Sequence, residues 1–166
     1  MTVMATGATH HGYTVVLRVP RDGEVIPDSQ SDYDDWGDDR LPLAETAGVI
    51  HRLVVECDGV AVGQVSWHRT HYGPNESSLA WNIGIGLTES AQGRGIGSVA
   101  QRLLAEHLLN TSVIDRIEAS TDVTNIAEQR ALERAGFIRE GTLRSAQGRR
   151  DGRHDLYSYS LLRSDV

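Results

Sequence analysis

Three glycines at alternate positions, Gly93, Gly95 and Gly97, open the stretch Gln92 to Leu109, which reads Q-G-R-G-I-G-S-V-A-Q-R-L-L-A-E-H-L-L. Glycines allow backbone dihedrals closed to other residues and let a ligand come close. Val99, Ala100, Leu103, Leu104 and Leu108 follow at helical spacing. The first amides of a helix have no internal partner and lie at its positive end. A glycine loop feeding a helix start is therefore a site for phosphate or pyrophosphate. Two carboxylates further on could move a proton. Glu118 lies in R-I-E-A-S, and strand alternation sets it opposite Ile117 and Ala119, toward a cleft or toward solvent. Glu128 follows Asn125 as N-x-x-E at a helix start, which reads equally as a capping box.

Other reactive side chains give weaker signals. Cys57, in V-V-E-C-D-G, reads as a buried strand residue. With one cysteine there is no internal disulfide, as suits a cytoplasmic protein. His51, His68, His71 and His154 are scattered, and His10 and His11 have no ligating neighbours at suitable spacing, so no metal site is expected. Arg144, Arg149, Arg150 and Arg153 crowd the last segment as a solvated tip or as a clamp for an anionic group.

The elements that must position these residues follow from periodicity. Residues 1–12 read as a flexible tail, and residues 13–166 as a single domain. Tyr13 to Val19 is a strand. Pro20 to Pro42 is irregular, with Asp28, Asp32, Asp34, Asp35, Asp38 and Asp39 around Tyr33 and Trp36. Ile50–Cys57, Val60–His68 and Leu79–Leu87 form an antiparallel meander, with Asp58-Gly59 as a hairpin turn. Then come the helix after the glycines, a strand from Ile114 to Ser120, a helix from Asn125 to Ala135, and a long hairpin over Ile138 to Leu162. The helix after Gly97 joins neighbouring strands and needs a parallel crossover. The fold class is thus α/β of the α+β type, a mixed, mostly antiparallel sheet flanked by helices. The net charge of −7 argues against nonspecific nucleic-acid binding and suits a cationic partner. No apolar run approaches membrane-spanning length, and the N-terminus lacks the regions of a signal peptide.

Two patterns overlap at the glycines. Gly95 to Ala100 fits G-x-G-x-x-A, a dinucleotide fingerprint, with Asp115 and Glu118 about where its ribose-binding acid belongs. Gln92, Gly95 and Gly97 fit Q-x-x-G-x-G, which resembles the coenzyme A pyrophosphate loop of the GNAT superfamily of N-acetyltransferases. Downstream, N-I-A-E-Q-R-A-L-E-R-A-G-F-I-R-E-G-T-L-R resembles the RimJ/RimL-type branch. The likeness is strong from about Ile83 to Arg144, and two motifs at the right separation are more specific than either alone.

The resemblance implies the GNAT (acyl-CoA N-acyltransferase) fold, acetyl-CoA as cosubstrate, and direct transfer of an acetyl group to a primary amine of a small molecule or protein N-terminus. It implies that Ile85 and Leu87 pair with the pantetheine arm in a splay between strands. It implies that Gln92, Gly93, Arg94, Gly95, Ile96, Gly97 and Ser98 hold the phosphates, and that Asn125 helps hold the arm. The segment carrying Trp36 would form part of the acceptor site. Some members carry a strand glutamate where this chain has Trp81 and Asn82, which become candidate acceptor walls. The position of Glu128 is often a serine, and a common tyrosine falls on Leu132. Glu118 and Glu128 therefore remain as candidate proton acceptors. A noncatalytic acyl-CoA sensor stays open, as does a homodimer.

Overall fold

In the computed structural model, which describes residues 2–36 and 49–166, one eight-stranded sheet carries the chain. Its strands are β1 (Val3–Ala8), β2 (Thr14–Arg18), β3 (His51–Cys57), β4 (Val60–His71), β5 (Leu79–Leu87), β6 (Arg116–Asp122), β7 (Ile138–Arg149) and β8 (Gly152–Leu162). Helix α1 (Ile96–Thr111) links β5 to β6, and α2 (Ile126–Arg134) links β6 to β7. The order across the sheet is β1-β2-β3-β4-β5-β6-β8-β7. Only β5 and β6 pair in parallel. The mixed, mostly antiparallel arrangement is the one the strand pattern predicts.

The meander closes where the sequence places its turn. Asp58 and Gly59 both have positive φ, 47° and 85°, which a tight hairpin between twisted strands requires. Asp58 also accepts the Thr14 N–H at 2.8 Å, tying the turn to the start of β2. Strand β4 runs on to His71, beyond the expected end at His68, because His71 still pairs with Leu79 of β5.

Residues 1–12, expected as a tail, instead contain β1, paired antiparallel with β2. Thr9 and Tyr13 close the intervening turn, the Thr9 N–H donating to the Tyr13 carbonyl at 2.9 Å. V-M-A-T-G-A has little apolar periodicity, so its order comes from tertiary contacts. A β-carbon built on Gly7 would stand 3.2 Å from Val99 Cγ1, so β1 lies directly against α1.

The apolar stripe of α1 faces the core. Ile96, Ala100, Leu104, Ala105, Leu108 and Leu109 are buried together with Val15, Leu17, Val55, Val65 and Ile117. From α2 and the turn after it, Leu132, Ala135 and Phe137 join the same core. Burial at about 25 cal/mol per Å² of apolar surface fixes both helices and hence the loops at their N-termini.

Candidate functional site

Strands β5 and β6 stay together for only one short step. Trp81 pairs with Ile117 and Asn82 with Glu118, and beyond that β5 pairs with β4 alone. From Ile83 on, the edge of β5 facing away from β4 pairs with no strand, as the resemblance implies, and at Leu87 its carbonyl accepts the Gln30 N–H at 3.3 Å. The splay is the floor of a cleft of about 510 Å³. Gly84, Ile85, Gly86 and Leu87 line it on one side, and Ala119 to Asp122 of β6 on the other.

The glycine turn forms one end of the cleft. Gly93 and Gly95 have φ of 71° and 79°, left-handed conformations that favour glycine. Gly95 is the N-cap of α1 and offers no side chain to its first amides. The helix start is therefore open to an anion. Gln92 braces this turn: its side-chain amide donates to the Gln30 carbonyl at 3.1 Å and the Leu87 carbonyl at 3.3 Å. Gln92, Gly93, Gly95, Gly97 and Ser98 all line the cleft. Ile96 and Arg94 do not share that lining; Ile96 is 1% exposed in the core, and the Arg94 guanidinium lies over the Tyr13 ring.

Beside the turn, with Ala131 4.0 Å from a β-carbon built on Gly97, stands the start of α2. Asn125 caps it, its side-chain oxygen accepting the Glu128 N–H at 3.2 Å. The reciprocal half of the capping box is not made, because the Asn125 N–H donates to the Asp122 carbonyl at 2.9 Å. The Glu128 carboxyl is thus spared from capping and lines the cleft with Asn125. Burial pushes its pKa up to about 7, against the opposing pull of a hydrogen bond from Gln101. A carboxyl titrating near neutrality inside a cleft can take or give a proton at physiological pH.

Ser31, Tyr33, Asp34 and Trp36 also line the cleft, with Gln147, Arg149 and Leu156 of the last hairpin; Gln30 ties this segment to Gln92 and Leu87, and the Tyr33 hydroxyl donates to the Thr124 carbonyl at 3.1 Å. Asp122 locks this wall, accepting from Arg149 at 2.8 Å and from Thr124 Oγ1 at 2.6 Å, with His154 Nδ1 at 3.0 Å. Burial raises the Asp122 carboxyl, but Thr124, Arg149 and His154 outweigh it, and the net shift is downward. The Arg149 guanidinium lies 5.3 Å from the Tyr33 ring centroid, and Arg150 pairs with Asp35 at 3.1 Å. This locking wall was not foreseen as a unit, since its parts are distant in sequence. Asp38 and Asp39 lie outside the described residues.

Three residues proposed from sequence are placed elsewhere. Glu118 is buried at 5% exposure, accepting from Tyr72 Oη at 2.6 Å and Arg116 Nε at 2.5 Å, and is not in the lining of the cleft. Trp81 is a core residue: its indole N–H donates to Ser112 Oγ at 3.1 Å, and it also lies outside that lining. Asn82 continues the paired part of β5 between His68 and Glu118. The pairing that holds β5 to β6 at this step removes both β5 residues from the splay.

Comparison with known proteins adds an independent line. Residues 8–138 match a family model described as the acetyltransferase (GNAT) domain. The "Putative ribosomal N-acetyltransferase YdaF" of Bacillus subtilis is 28% identical over 131 residues, covering 79% of this chain and 67% of the relative. The structure of Mycobacterium smegmatis RimJ in complex with CoA-disulfide superposes with a TM-score of 0.63 at 24% identity, over 70% of this chain and 55% of that one. The structure of RimL, a ribosomal L7/L12 alpha-N-protein acetyltransferase, in complex with coenzyme A gives 0.61 at 26% identity, over 70% and 64%. The chain therefore spans a little over half to two thirds of these relatives.

Proposed function

Since that model covers most of its length, the chain belongs to the GNAT acetyltransferase family, and from this premise we propose that it transfers an acetyl group from acetyl-CoA to a primary amine, of a small molecule or a protein N-terminus, within a ternary complex. One observation carries the reading: the released edge of β5, the uncapped glycine turn and the Glu128 carboxyl share a single cleft.

The residues present fit the coenzyme. The turn at Gly93 to Ser98 offers unpaired amides at the positive end of α1 for its pyrophosphate. The β5 edge at Ile85 offers backbone groups for the amide-bearing arm, with Leu87, whose carbonyl Gln30 and Gln92 already engage, and Asn125 in the same lining. Binding both reactants in one cleft supplies proximity, worth many orders of magnitude for a transfer that needs only alignment. Glu128 accepts the proton that the amine loses as it attacks, since its carboxyl is poised near pH 7. The half-buried carboxyl of Asp34, beside Tyr33 and Trp36 in the lining of the cleft, draws a cationic amine.

Coenzyme A release measured with a chemically diverse panel of amines tests the reading. Turnover with at least one amine is expected. Tight acetyl-CoA binding with no turnover on any amine would overturn it in favour of a noncatalytic acyl-CoA sensor.

A further inference from the structure

The turn between β1 and β2 packs against the glycine turn. Thr9 and Tyr13 close it into one unit: the Thr9 N–H donates to the Tyr13 carbonyl at 2.9 Å, and the Tyr13 N–H donates to Thr9 Oγ1 at 3.1 Å. Thr9 is buried, and a β-carbon built on Gly95 would lie 3.7 Å from Thr9 Cβ. The Tyr13 ring is partly buried against the core, which gives it a fixed place. Arg94 is exposed and stands between two glycines of positive φ, Gly93 and Gly95. Its guanidinium lies over the Tyr13 ring, 5.5 Å from the centroid, and among the described residues it has no carboxylate partner. Thr9, Tyr13 and Arg94 are all absent from the lining of the cleft. Strand β1, which carries this turn onto α1 through Gly7, lies almost wholly ahead of the residues that match the family model.

Backbone amides hold an anion well only when they converge before it arrives, because ordering them on binding costs affinity. The stretch Gly93-Arg94-Gly95 is the most adaptable part of the turn, since glycine restricts its own dihedrals least. Gln92 anchors the entry to that stretch through the Gln30 and Leu87 carbonyls. The Arg94 side chain is the handle on its middle, and Tyr13 holds that handle. We propose that Tyr13 is a positioning residue for the coenzyme: acting through Arg94, its ring keeps the glycine turn in the conformation that receives the pyrophosphate. This rests on the acetyl-CoA reading above and adds to it an element from the far end of the sheet.

Calorimetry with acetyl-CoA on the full chain and on Tyr13→Leu, Tyr13→Phe, Arg94→Gln and the double variant Tyr13→Leu/Arg94→Gln tests the assignment. Tyr13→Leu keeps apolar bulk and loses the ring face, and should raise Kd roughly two- to fivefold, the range of an exposed cation–π contact. Tyr13→Phe keeps the ring and should restore wild-type affinity. The double variant should bind no more weakly than Arg94→Gln alone, because both changes break one contact. Wild-type affinity in Tyr13→Leu, a loss in Tyr13→Phe as large as in Tyr13→Leu, or additive losses in the double variant would each overturn the proposal and leave the coenzyme reading intact. Arg94→Gln breaks the same contact at an exposed position, so wild-type affinity in that variant overturns the proposal even where Tyr13→Leu fails to fold. A wild type that does not bind acetyl-CoA removes the coenzyme reading and this proposal with it.

Discussion

Glu128 has a pKa of about 7 because it loses solvent without gaining a cation, and only Gln101 offers its charged form a hydrogen bond. If it is the proton acceptor, kcat/KM should rise with pH through an inflection near 7. Glu128→Gln should abolish that inflection and lower kcat by roughly a hundredfold. A variant with wild-type kcat and an unaltered profile would remove the carboxyl from the reaction. The same shift fixes a stability trend. The unfolded chain loses this proton near its ordinary 4.5, whereas the folded one keeps it to about 7, so stability falls as pH rises through that window. Glu128→Gln should therefore melt higher than wild type at pH 8, by up to about 3 kcal/mol, and converge with it at pH 4. The N-x-x-E spacing could not foretell this, because spacing says that Glu128 can reach the Asn125 N–H. It does not say that Asp122 takes that N–H first. Alternation likewise set Glu118 opposite Ile117 and Ala119, but Tyr72, which holds it, is far away in the chain.

Among the elements, β2 carries the least expected feature. Its Arg18 is 1% exposed, paired with Glu24 at 2.6 Å and Glu56 at 2.7 Å. Removing Glu56 strips part of the compensation of a buried charge, which keeps only Glu24, so Glu56→Ala should cost on the order of 2 kcal/mol in urea unfolding. Asp115→Ala, which breaks the exposed pair with Arg163, should cost less than about 1 kcal/mol. Equal losses would mean that burial is not what makes the first pair matter. The Arg18 hydrogen bond and the Arg21 N–H hold the Glu24 carboxyl at about 2. Its contribution is therefore complete above the ordinary 4.5 and is lost as pH falls toward 2, an acid limb that Glu24→Gln should flatten in melts across that range. The central strands and both helices were legible because their periodicity faces one core. Strand β1 was not, since small residues such as Ala5 and Gly7 carry no pattern until α1 lies on them. The glycine turn was legible because its positive φ angles demand a residue type that the sequence displays.

At the scale of the whole molecule, the proposed reaction asks an acidic protein to take up an anionic cosubstrate and a cationic acceptor in one cleft. In that reading the glycine turn serves the first, and Tyr33, Asp34 and Trp36, which line the same cleft, the second. A ligand that binds only the folded state stabilises it by mass action, so acetyl-CoA at a hundredfold excess over its Kd should raise Tm by roughly 5–10 °C. NAD should leave Tm unchanged; the reverse outcome would return the glycines to the dinucleotide reading. The acceptor end yields a narrower test than the run of aspartates suggests from sequence. Asp35 is engaged by Arg150, whereas Asp34 lines the cleft without a carboxylate-neutralising partner among the described residues. If that charge recruits the amine, Asp34→Asn should raise KM for a cationic acceptor several-fold and leave KM for acetyl-CoA unchanged, because removing a negative charge does not weaken an anionic cosubstrate. Raised salt should weaken the wild type toward the variant, since a half-exposed charge acts through screened solvent. Asp32→Asn is the control, an exposed neighbour absent from the lining. Steady-state kinetics against one amine at two ionic strengths decides it: equal changes for Asp34 and Asp32, or a change in both KM values together, would show a general field effect and no acceptor site at Asp34.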